Sequence, residues 1–258
     1  MVRHLFGGRK QNTIQQNLLK IVDGQEITIH EKTLPLPDAN RKEEKQHACS
    51  YLVDVLRNTK EKIIICAVGP LTNIAMALTM APEIANNIES IYIMGGGIYK
   101  GNRTPTAEAN FYDDPEAAEI VLNCGAKIIL SPLEACESGA LYNQKDIQDI
   151  RDLNTRVSNY IAEEISGYIG REQILFGDWC TEDTIYDYGA TIPLIDESVI
   201  LEIKNDRAHV DCSGGMADGT LLLDRRGFDE FESNVYIIEK IDHDKTHEIL
   251  LDLLKKAN

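Results

Sequence analysis

The stretch KIIICAVGPLTNIAMALTMAPEIANNIESIYIMGG, from Lys62 to Gly96, decides the fold class of this chain. Its β-branched run KIIICAV predicts a buried strand, and the following LTNIAMALTM has the apolar spacing of a helix. SIYIMGG, from Ser90 to Gly96, then repeats the strand pattern. Strands that alternate with helices in this way are typical of a parallel sheet covered by helices.

The same alternation continues beyond Gly96. A helix is predicted to begin at Asp114-Pro115-Glu116, because Asp caps free amide groups, Pro suits the first helical position and Glu suits the helix dipole. AKIILSP, from Ala126 to Pro132, is the third strand. Two consecutive strand-helix-strand units therefore predict an α/β fold, with an open, mostly parallel sheet and helices on both faces.

The remaining segments extend this α/β pattern over one expected domain, residues 1–258. Residues 144–170 carry apolar side chains at helical spacing and predict a long helix or a helix pair. Early in the chain we predict a helix over TIQQNLLKIV and a short strand at EITIH. The last predicted elements are strands in VILEI (Val199–Ile203), GTLLLD (Gly219–Asp224) and NVYIIEK (Asn234–Lys240), and a helix in HEILLDLLKK.

Composition restricts the partners of the chain. The formal charge of −16, from 42 acidic and 26 basic residues, repels phosphate backbones and anionic lipid. We therefore expect no nucleic acid and no membrane partner, and a neutral or cationic ligand fits better. Six cysteines without a C-x-x-C pair indicate a reducing compartment. The sequence has no apolar run of about 18 residues and no secretory start, which predicts a cytoplasmic protein.

The predicted sheet brings several loops to one edge. Ligands of open α/β sheets bind beyond the carboxyl ends of the strands. That rule places Gly69, Gly95 to Gly97, the loop from Gly101 to Ala118, and Glu134 on one rim. The glycines allow a ligand to approach the backbone closely, but their spacing is not that of a phosphate-binding loop. Tight turns on the rim and phosphate binding both remain open.

The loop GNRTPTAEANFYDDPEAA, from Gly101 to Ala118, is the most informative part of this rim. No local structural role is evident from the sequence for Asn102, Glu108 and Asn110. A carboxylate flanked by two amides offers hydrogen-bond donors and acceptors together, and so suits vicinal hydroxyl groups. The trio indicates a sugar or polyol site, with ordinary solvated loop polarity as the alternative.

A second acidic stretch, GDWCTEDTIYDYGA, holds Asp178, Glu182, Asp183 and Asp187. Four carboxylates within ten residues would suit a hard cation such as calcium. A capped helix start would account for the same residues.

The histidine pattern argues against other metal and catalytic sites. The six histidines show no H-E-x-x-H arrangement, so neither a zinc site nor a serine triad is predicted. His243 and His247 are interpreted as the polar face of the last helix.

Three blocks, AVGPLTNIAMAL, IYIMGG and GNRTPTAEANFYDDPEAAEIV, resemble the inosine-uridine preferring nucleoside hydrolases in both order and spacing. The resemblance extends through LEAC and HVDCSGGMADGTLLLD, and so covers most of the chain. It implies the Rossmann-like nucleoside hydrolase fold. It also implies an enzyme that cleaves purine or pyrimidine ribonucleosides into free base and ribose, in nucleoside salvage or catabolism, with a bound calcium ion. Cleavage passes through an oxocarbenium-like sugar, and a dimer or tetramer is expected.

The resemblance also implies roles for particular residues. By this resemblance, Asn102, Glu108 and Asn110 fall on positions that hold the ribose hydroxyls, and Met94 falls on the position packed beside the sugar. The implied calcium ligands are the main-chain carbonyl of Val68 and the carboxylate of Asp183, which also touches ribose.

Two features depart from the family pattern. No D-x-D-P-G-x-D-D stretch is found. We therefore expect the first strand of the family to be missing and calcium binding to be weak or absent. Glu182-Asp183-Thr184 replaces the usual His-Asp-Pro, which leaves Glu182 as a candidate acid if it is buried. Three hypotheses follow. The chain is a nucleoside hydrolase whose first strand was lost in the gene or in the reading of its start codon, a catalytically silent ribose-binding or scaffold protein, or a poorly folding remnant.

Overall fold

A computed structural model describes residues 19–22, 24–29, 45–226 and 232–257. The helices in these residues are α1 (Ala48–Asn58), α2 (Thr72–Met80), α3 (Ala109–Asp113), α4 (Pro115–Leu122), α5 (Leu133–Ala140), α6 (Gln144–Asp152), α7 (Arg156–Phe176), α8 (Tyr186–Ile195) and α9 (His243–Lys256). The strands are β1 (Leu19–Val22), β2 (Gln25–Thr28), β3 (Ile63–Ala67), β4 (Ile88–Met94), β5 (Lys127–Ser131), β6 (Leu141–Tyr142), β7 (Asp183–Thr184), β8 (Ile200–Val210), β9 (Leu221–Asp224) and β10 (Val235–Ile241).

The chain forms two compact units. The described part of the first unit comprises residues 45–139, 186–226 and 232–242. That of the second unit comprises residues 19–22, 24–29, 140–185 and 243–257. No helix in these ranges is both long and apolar enough to cross a bilayer.

The first unit is built on a six-stranded sheet with the order β3-β4-β5-β10-β8-β9. The pairs from β3 to β10 are parallel, and β8 and β9 are antiparallel to their neighbours. The predicted mostly parallel α/β sheet and its two consecutive strand-helix-strand units are therefore confirmed. β8 extends to Val210, well beyond the predicted VILEI, because ion pairs such as Lys204–Glu239 (2.7 Å) and Arg225–Asp206 (2.5 Å) accommodate its polar residues.

Helices cover both faces of this sheet, as the sequence predicts. Ile91 and Ile93 are fully buried in one cluster with residues of α1, α2 and α4. Met94 belongs to a different cluster, with residues of α5 and α8. Successive side chains of a strand point to opposite faces, so these two clusters are the two sides of the sheet. The predicted start of α4 is also confirmed, because Asp114 caps the helix by accepting a hydrogen bond from Ala117 N–H (3.1 Å).

The second unit contains the predicted helix pair. α6 and α7 each begin with a reciprocal capping box, formed by Asn143 with Asp146 and by Thr155 with Ser158. In a capping box, two side chains satisfy amide groups that the first helical turn leaves without partners. Between the two helices, Asn154 adopts a positive φ of 49°, which separates the predicted single apolar pattern into two elements.

One early element differs from the prediction. The last four residues of the predicted helix TIQQNLLKIV form strand β1, paired antiparallel with β2, so the helix is wrong over Leu19–Val22. Its first six residues lie outside the described part of the chain. Val22 pairs with Gln25, and Gly24 between them has φ of 78°. Two strands joined by the residues Asp-Gly favour a hairpin. This preference is stronger than the preference for a helix that the spacing of the apolar residues indicated. The strand predicted at EITIH is confirmed as β2.

Candidate functional site

The candidate site lies in the first unit, where β4 ends in the glycine run from Gly95 to Gly97. A Cβ atom on Gly95 would lie 2.6 Å from the ring of Phe111, so this position requires glycine. Gly96 has φ of 70°, a conformation that glycine adopts without strain. The carbonyl of Gly96 accepts a hydrogen bond from Leu133 N–H (3.0 Å), which holds the loop against the start of α5. The glycines thus form a tight turn on the rim.

Glu108 lies beneath this turn and is only 2% exposed. Its Oε2 accepts hydrogen bonds from Gly96 N–H (2.9 Å) and Phe111 N–H (3.2 Å). Its Oε1 accepts one from Asn110 N–H (2.8 Å). Burial raises the pKa of Glu108 to about 7, and the three backbone donors oppose that rise. The carboxyl group therefore changes its charge near neutral pH.

Asn110 joins this carboxylate to the end of β4. Its Nδ2 donates a hydrogen bond to the carbonyl oxygen of Met94 (3.0 Å) and lies 3.4 Å from the Met94 sulfur. Met94 itself is buried. The Oδ1 atom of Asn110 has no hydrogen-bond partner among the described residues, so one acceptor remains available beside Glu108.

Asn102 approaches the same cluster from the other end of the loop. It is exposed, and its Oδ1 accepts a hydrogen bond from Ala109 N–H (2.9 Å). Its Nδ2 donates to no group in the described ranges and remains available as a donor. We call Met94, Asn102, Glu108 and Asn110 the rim cluster.

The rim cluster corrects one interpretation made from the sequence. Asn102, Glu108 and Asn110 do have local structural roles, because each forms a hydrogen bond with the backbone. The reason is that the first amide groups of α3 have no partners within the helix, and Glu108 accepts from two of them. The trio therefore stabilises the loop and also presents unused polar atoms.

Glu134 holds the outer part of the rim. Its Oε2 accepts a hydrogen bond from Ile98 N–H (2.9 Å), and its Oε1 accepts one from Tyr99 N–H (2.8 Å). The predicted place of Glu134 on this rim is confirmed. Its role as an acceptor for the loop was missed, because nothing in LEAC shows that two amide groups some 35 residues upstream lie opposite it.

Asp187 is a further carboxylate of the first unit. Burial raises its pKa. Burial is also the main cause of the raised pKa of the Cys66 and Cys136 thiols, and the charge of Asp187 adds to both rises. The sequence grouped Asp187 with Asp178, Glu182 and Asp183 in one acidic stretch. In the structure it instead lies in the first turn of α8, which fits the helix-start explanation.

Asp183 and Glu182 belong to the second unit. Asp183 pairs with Tyr142 across β6 and β7. Its pKa is raised to about 7 by burial and, to a smaller extent, by the charge of Glu172. Glu182 is exposed, so it does not meet the condition of burial on which its role as an acid depends.

The two calcium ligands that the family resemblance implies do not by themselves form a calcium site. Calcium takes six to eight oxygen ligands, whereas the mapped protein donors are the Val68 carbonyl and the Asp183 carboxylate. In the described ranges, one group of three metal-ligating side chains is close enough to share an ion, namely Asp146, Asp149 and His247. That group contains neither Val68 nor Asp183.

Comparisons with known proteins identify relatives of the chain. The sequence matches the family model described as inosine-uridine preferring nucleoside hydrolase over residues 8–248. An uncharacterised protein of Schizosaccharomyces pombe is 30% identical over 221 residues, which are 85% of this chain and 70% of that protein. A probable ribonucleoside hydrolase of Dictyostelium discoideum is 30% identical over 203 residues, which are 76% of this chain and 58% of that protein.

A solved structure has the same fold. The purine-preferring ribonucleoside hydrolase from Gardnerella vaginalis superposes with a TM-score of 0.77 at 24% identity, over 86% of this chain and 70% of that one. The mostly parallel sheet and the family match over residues 8–248 agree with one another. The chain belongs to the inosine-uridine preferring nucleoside hydrolase family.

Proposed function

We propose that this protein hydrolyses the N-glycosidic bond of ribonucleosides and releases a free base and ribose. Membership of the nucleoside hydrolase family supports a nucleosidase activity. The observation that carries the proposal is the rim cluster, in which a buried carboxylate and two amides meet at the carboxyl end of β4. Its position agrees with the rule that ligands of open α/β sheets bind at this edge.

The unused atoms of the rim cluster suit the vicinal hydroxyl groups of ribose. A hydroxyl group both donates and accepts. Asn110 Oδ1 offers an acceptor and Asn102 Nδ2 offers a donor, as described above. Glu108 uses three of its roughly four acceptor positions on backbone amides, so its Oε1 has capacity for one more donor. Met94 would pack beside the sugar.

The proposed reaction breaks the bond between ribose C1′ and the base nitrogen, and one water supplies a hydroxyl group to C1′ and a proton to the departing base. Positive charge develops on the sugar as the bond breaks. Glu108, when ionised above its pKa of about 7, places a negative charge beside that sugar. The rim cluster thus binds ribose and favours the charge that forms during cleavage.

Calcium takes no part in the steps proposed here. The two mapped donors, Val68 and Asp183, supply too few oxygens for this ion. We therefore propose that calcium binds this chain weakly. Titration calorimetry with calcium chloride checks this, and tight binding of one ion per chain would contradict it.

The test of function measures release of reducing sugar and free base from inosine and from uridine. Asn102→Ala removes an exposed donor, and we expect kcat/KM to fall about tenfold or more, the loss of one hydrogen bond to a substrate hydroxyl. Asn123→Ala is the matched control, because Asn123 is also exposed and bonds to the backbone, at the carbonyl of Glu119. Absence of base release from both nucleosides by the unmodified chain would refute the proposal.

We also propose a cytoplasmic location, a role in purine or pyrimidine salvage, and assembly as a dimer or tetramer. All six cysteines are free, which supports a reducing compartment. The family match covers residues in both units, which supports one nucleoside hydrolase domain over residues 1–258. Sedimentation of the purified chain tests the assembly state.

A further inference from the structure

We propose that the second unit contains a binding site for a divalent transition-metal ion of the zinc class, formed by Asp146, Asp149 and His247. This metal site is separate from the rim cluster, which belongs to the first unit. It also differs from the calcium donors that the family resemblance implies, Val68 and Asp183.

Two helices supply the three side chains. Asp146 and Asp149 lie three residues apart on α6, and His247 lies on α9. Residues three apart in a helix share one face, so both carboxylates point the same way. One ligand atom from each of the three residues lies within 4.8 Å of the others. Ligand atoms that lie about 2.0–2.2 Å from a tetrahedral zinc ion are about 3.3–3.6 Å from one another. The three ligand atoms therefore need to move only slightly closer together to bind one ion.

His247 is the residue that points to a ligand. Its side chain is 12% exposed, and both ring nitrogens are buried without a hydrogen-bond partner among the described residues. Its Nε2 lies 3.6 Å from Asp149 Oδ2, which is beyond hydrogen-bond distance. A buried polar group without a partner is unfavourable, because it has lost its hydrogen bonds to water. A metal ion between Nε2 and the two carboxylates would provide a partner for this nitrogen.

Neighbouring groups orient these ligands. The ring of His247 packs edge-on against Tyr142, with centroids 5.5 Å apart. It stacks on His243 with an interplanar angle of 4°. His243 Nε2 lies 3.6 Å from Asp146 Oδ2, at the edge of the site. Asp146 is held by the capping box, in which its Oδ2 accepts from Asn143 N–H (3.0 Å). The ligand side chains are thus largely positioned before an ion binds.

The donor set selects the class of ion. Imidazole nitrogen together with carboxylate oxygen suits zinc and its neighbours, whereas calcium takes oxygen ligands alone. Two carboxylates also provide a local negative charge, and Lys145, 3.4 Å from Asp149, is an exposed cation that compensates little of it. The sequence predicted no zinc site and placed His247 on the polar face of the last helix. The polar-face placement of His247 is wrong, because its side chain is only 12% exposed. That burial, and the approach of His247 to α6, depend on helix packing.

The experiment measures metal binding directly. The full chain is stripped with chelator and titrated with zinc sulfate in a calorimeter, and then with cobalt(II), whose visible absorption reports nitrogen and oxygen ligation. His247→Gln and Asp149→Asn each remove one ligand. His209→Gln and Asp252→Asn are the matched controls, because both residues are partly exposed and lie outside the site.

We expect one zinc ion per chain, and an affinity weakened about tenfold or more in His247→Gln and Asp149→Asn. The controls should bind as the unmodified chain does. Zinc should also raise the midpoint of thermal unfolding of the unmodified chain and the controls, and should raise that of the two ligand variants by less. If His247→Gln does not fold, Asp149→Asn decides alone, because Asp149 is partly exposed. Unchanged zinc affinity in a folded ligand variant, or calcium binding as tight as zinc, would overturn the proposal.

Discussion

Glu108 shows how a single residue combines a structural and a functional role. Its carboxyl group is buried beneath the Gly96 turn, where three backbone amides donate to it. Burial disfavours the charged form and the amide donors favour it, and burial prevails, since the pKa rises to about 7. The sequence showed that a carboxylate stands between two amides. Its burial could not be predicted, because that depends on how Phe111 and the glycine turn pack over it.

The raised pKa of Glu108 makes stability depend on pH. Its pKa increases from 4.5 to about 7 on folding, so the folded state binds the proton more tightly than the unfolded state does. The free energy of unfolding should therefore fall as the pH rises from about 4.5 to about 7, by on the order of 3 kcal/mol. Glu108→Gln cannot titrate and should lose this slope.

Urea unfolding of both proteins at about pH 5 and about pH 8 checks this expectation. The other titrating groups, including Asp183, are common to both proteins and cancel in the difference. Parallel pH profiles for the two proteins would show that Glu108 does not titrate in this range.

At the level of elements, the contact of α8 with α5 depends on a glycine. A Cβ atom on Gly189 of α8 would lie 2.8 Å from the Cα and Sγ atoms of Cys136. The backbone of α5 cannot move aside as a flexible side chain would, so the two helices approach closely only with glycine at this position. Outside its own helical turn, no described residue comes within 4 Å of the Cβ atom that an alanine at Gly170 in α7 would carry, so Gly170 serves no such contact.

These two glycines predict opposite effects of the same substitution. Gly189→Ala should lower the free energy of unfolding by about 1–3 kcal/mol, because the added methyl group overpacks the contact with Cys136. Gly170→Ala should raise it by about 0.5–1 kcal/mol, because alanine favours the helix. Chemical denaturation of both variants measures the difference. A stabilised Gly189→Ala protein would show that α8 and α5 do not need the close approach.

The strand β3 is the other element with a predicted consequence. Among the described residues it pairs only with β4, and Ile64 on its surface is 42% exposed. An apolar strand with one free edge is a template for pairing with another chain. Ile65, its neighbour, packs against the core.

Ile64→Lys should therefore reduce aggregation and change the free energy of unfolding by about 0.5 kcal/mol or less. Ile65→Lys is the control, since it introduces a charge against the core and should destabilise the protein by more than 1 kcal/mol, on the order of the cost of burying a charge. Light scattering on warming measures the first effect and urea unfolding the second. Equal scattering by Ile64→Lys and the unmodified protein would exclude β3 as the site of association.

For the whole molecule, net charge is the dominant electrostatic property. The formal charge is −16 at pH 7, and the isoelectric point of the sequence is near 4.8. An excess of charge of one sign destabilises the folded state, because like charges repel one another. Salt screens that repulsion, with a Debye length of about 10 Å at 0.1 M.

Raising sodium chloride from about 0.02 M to about 0.2 M at pH 7 should therefore raise the midpoint of thermal unfolding. Near pH 4.8 the net charge is close to zero, and the same addition of salt should have little effect. Scanning calorimetry at both pH values makes the comparison. An equal response at both would show that net charge does not control stability.

The sequence by itself determined the alternation of strands and helices, the start of α4 at Asp114 and the position of the polar trio on the rim. These features depend on residues within a few positions of one another, so periodicity and capping rules reach them. Only the tertiary structure decided the burial of Glu108, the close contact of Gly189 with Cys136, and the approach of His247 to residues about a hundred positions earlier in the chain. Each of these depends on the order of strands and the packing of helices, and local preference does not specify which distant groups are brought together.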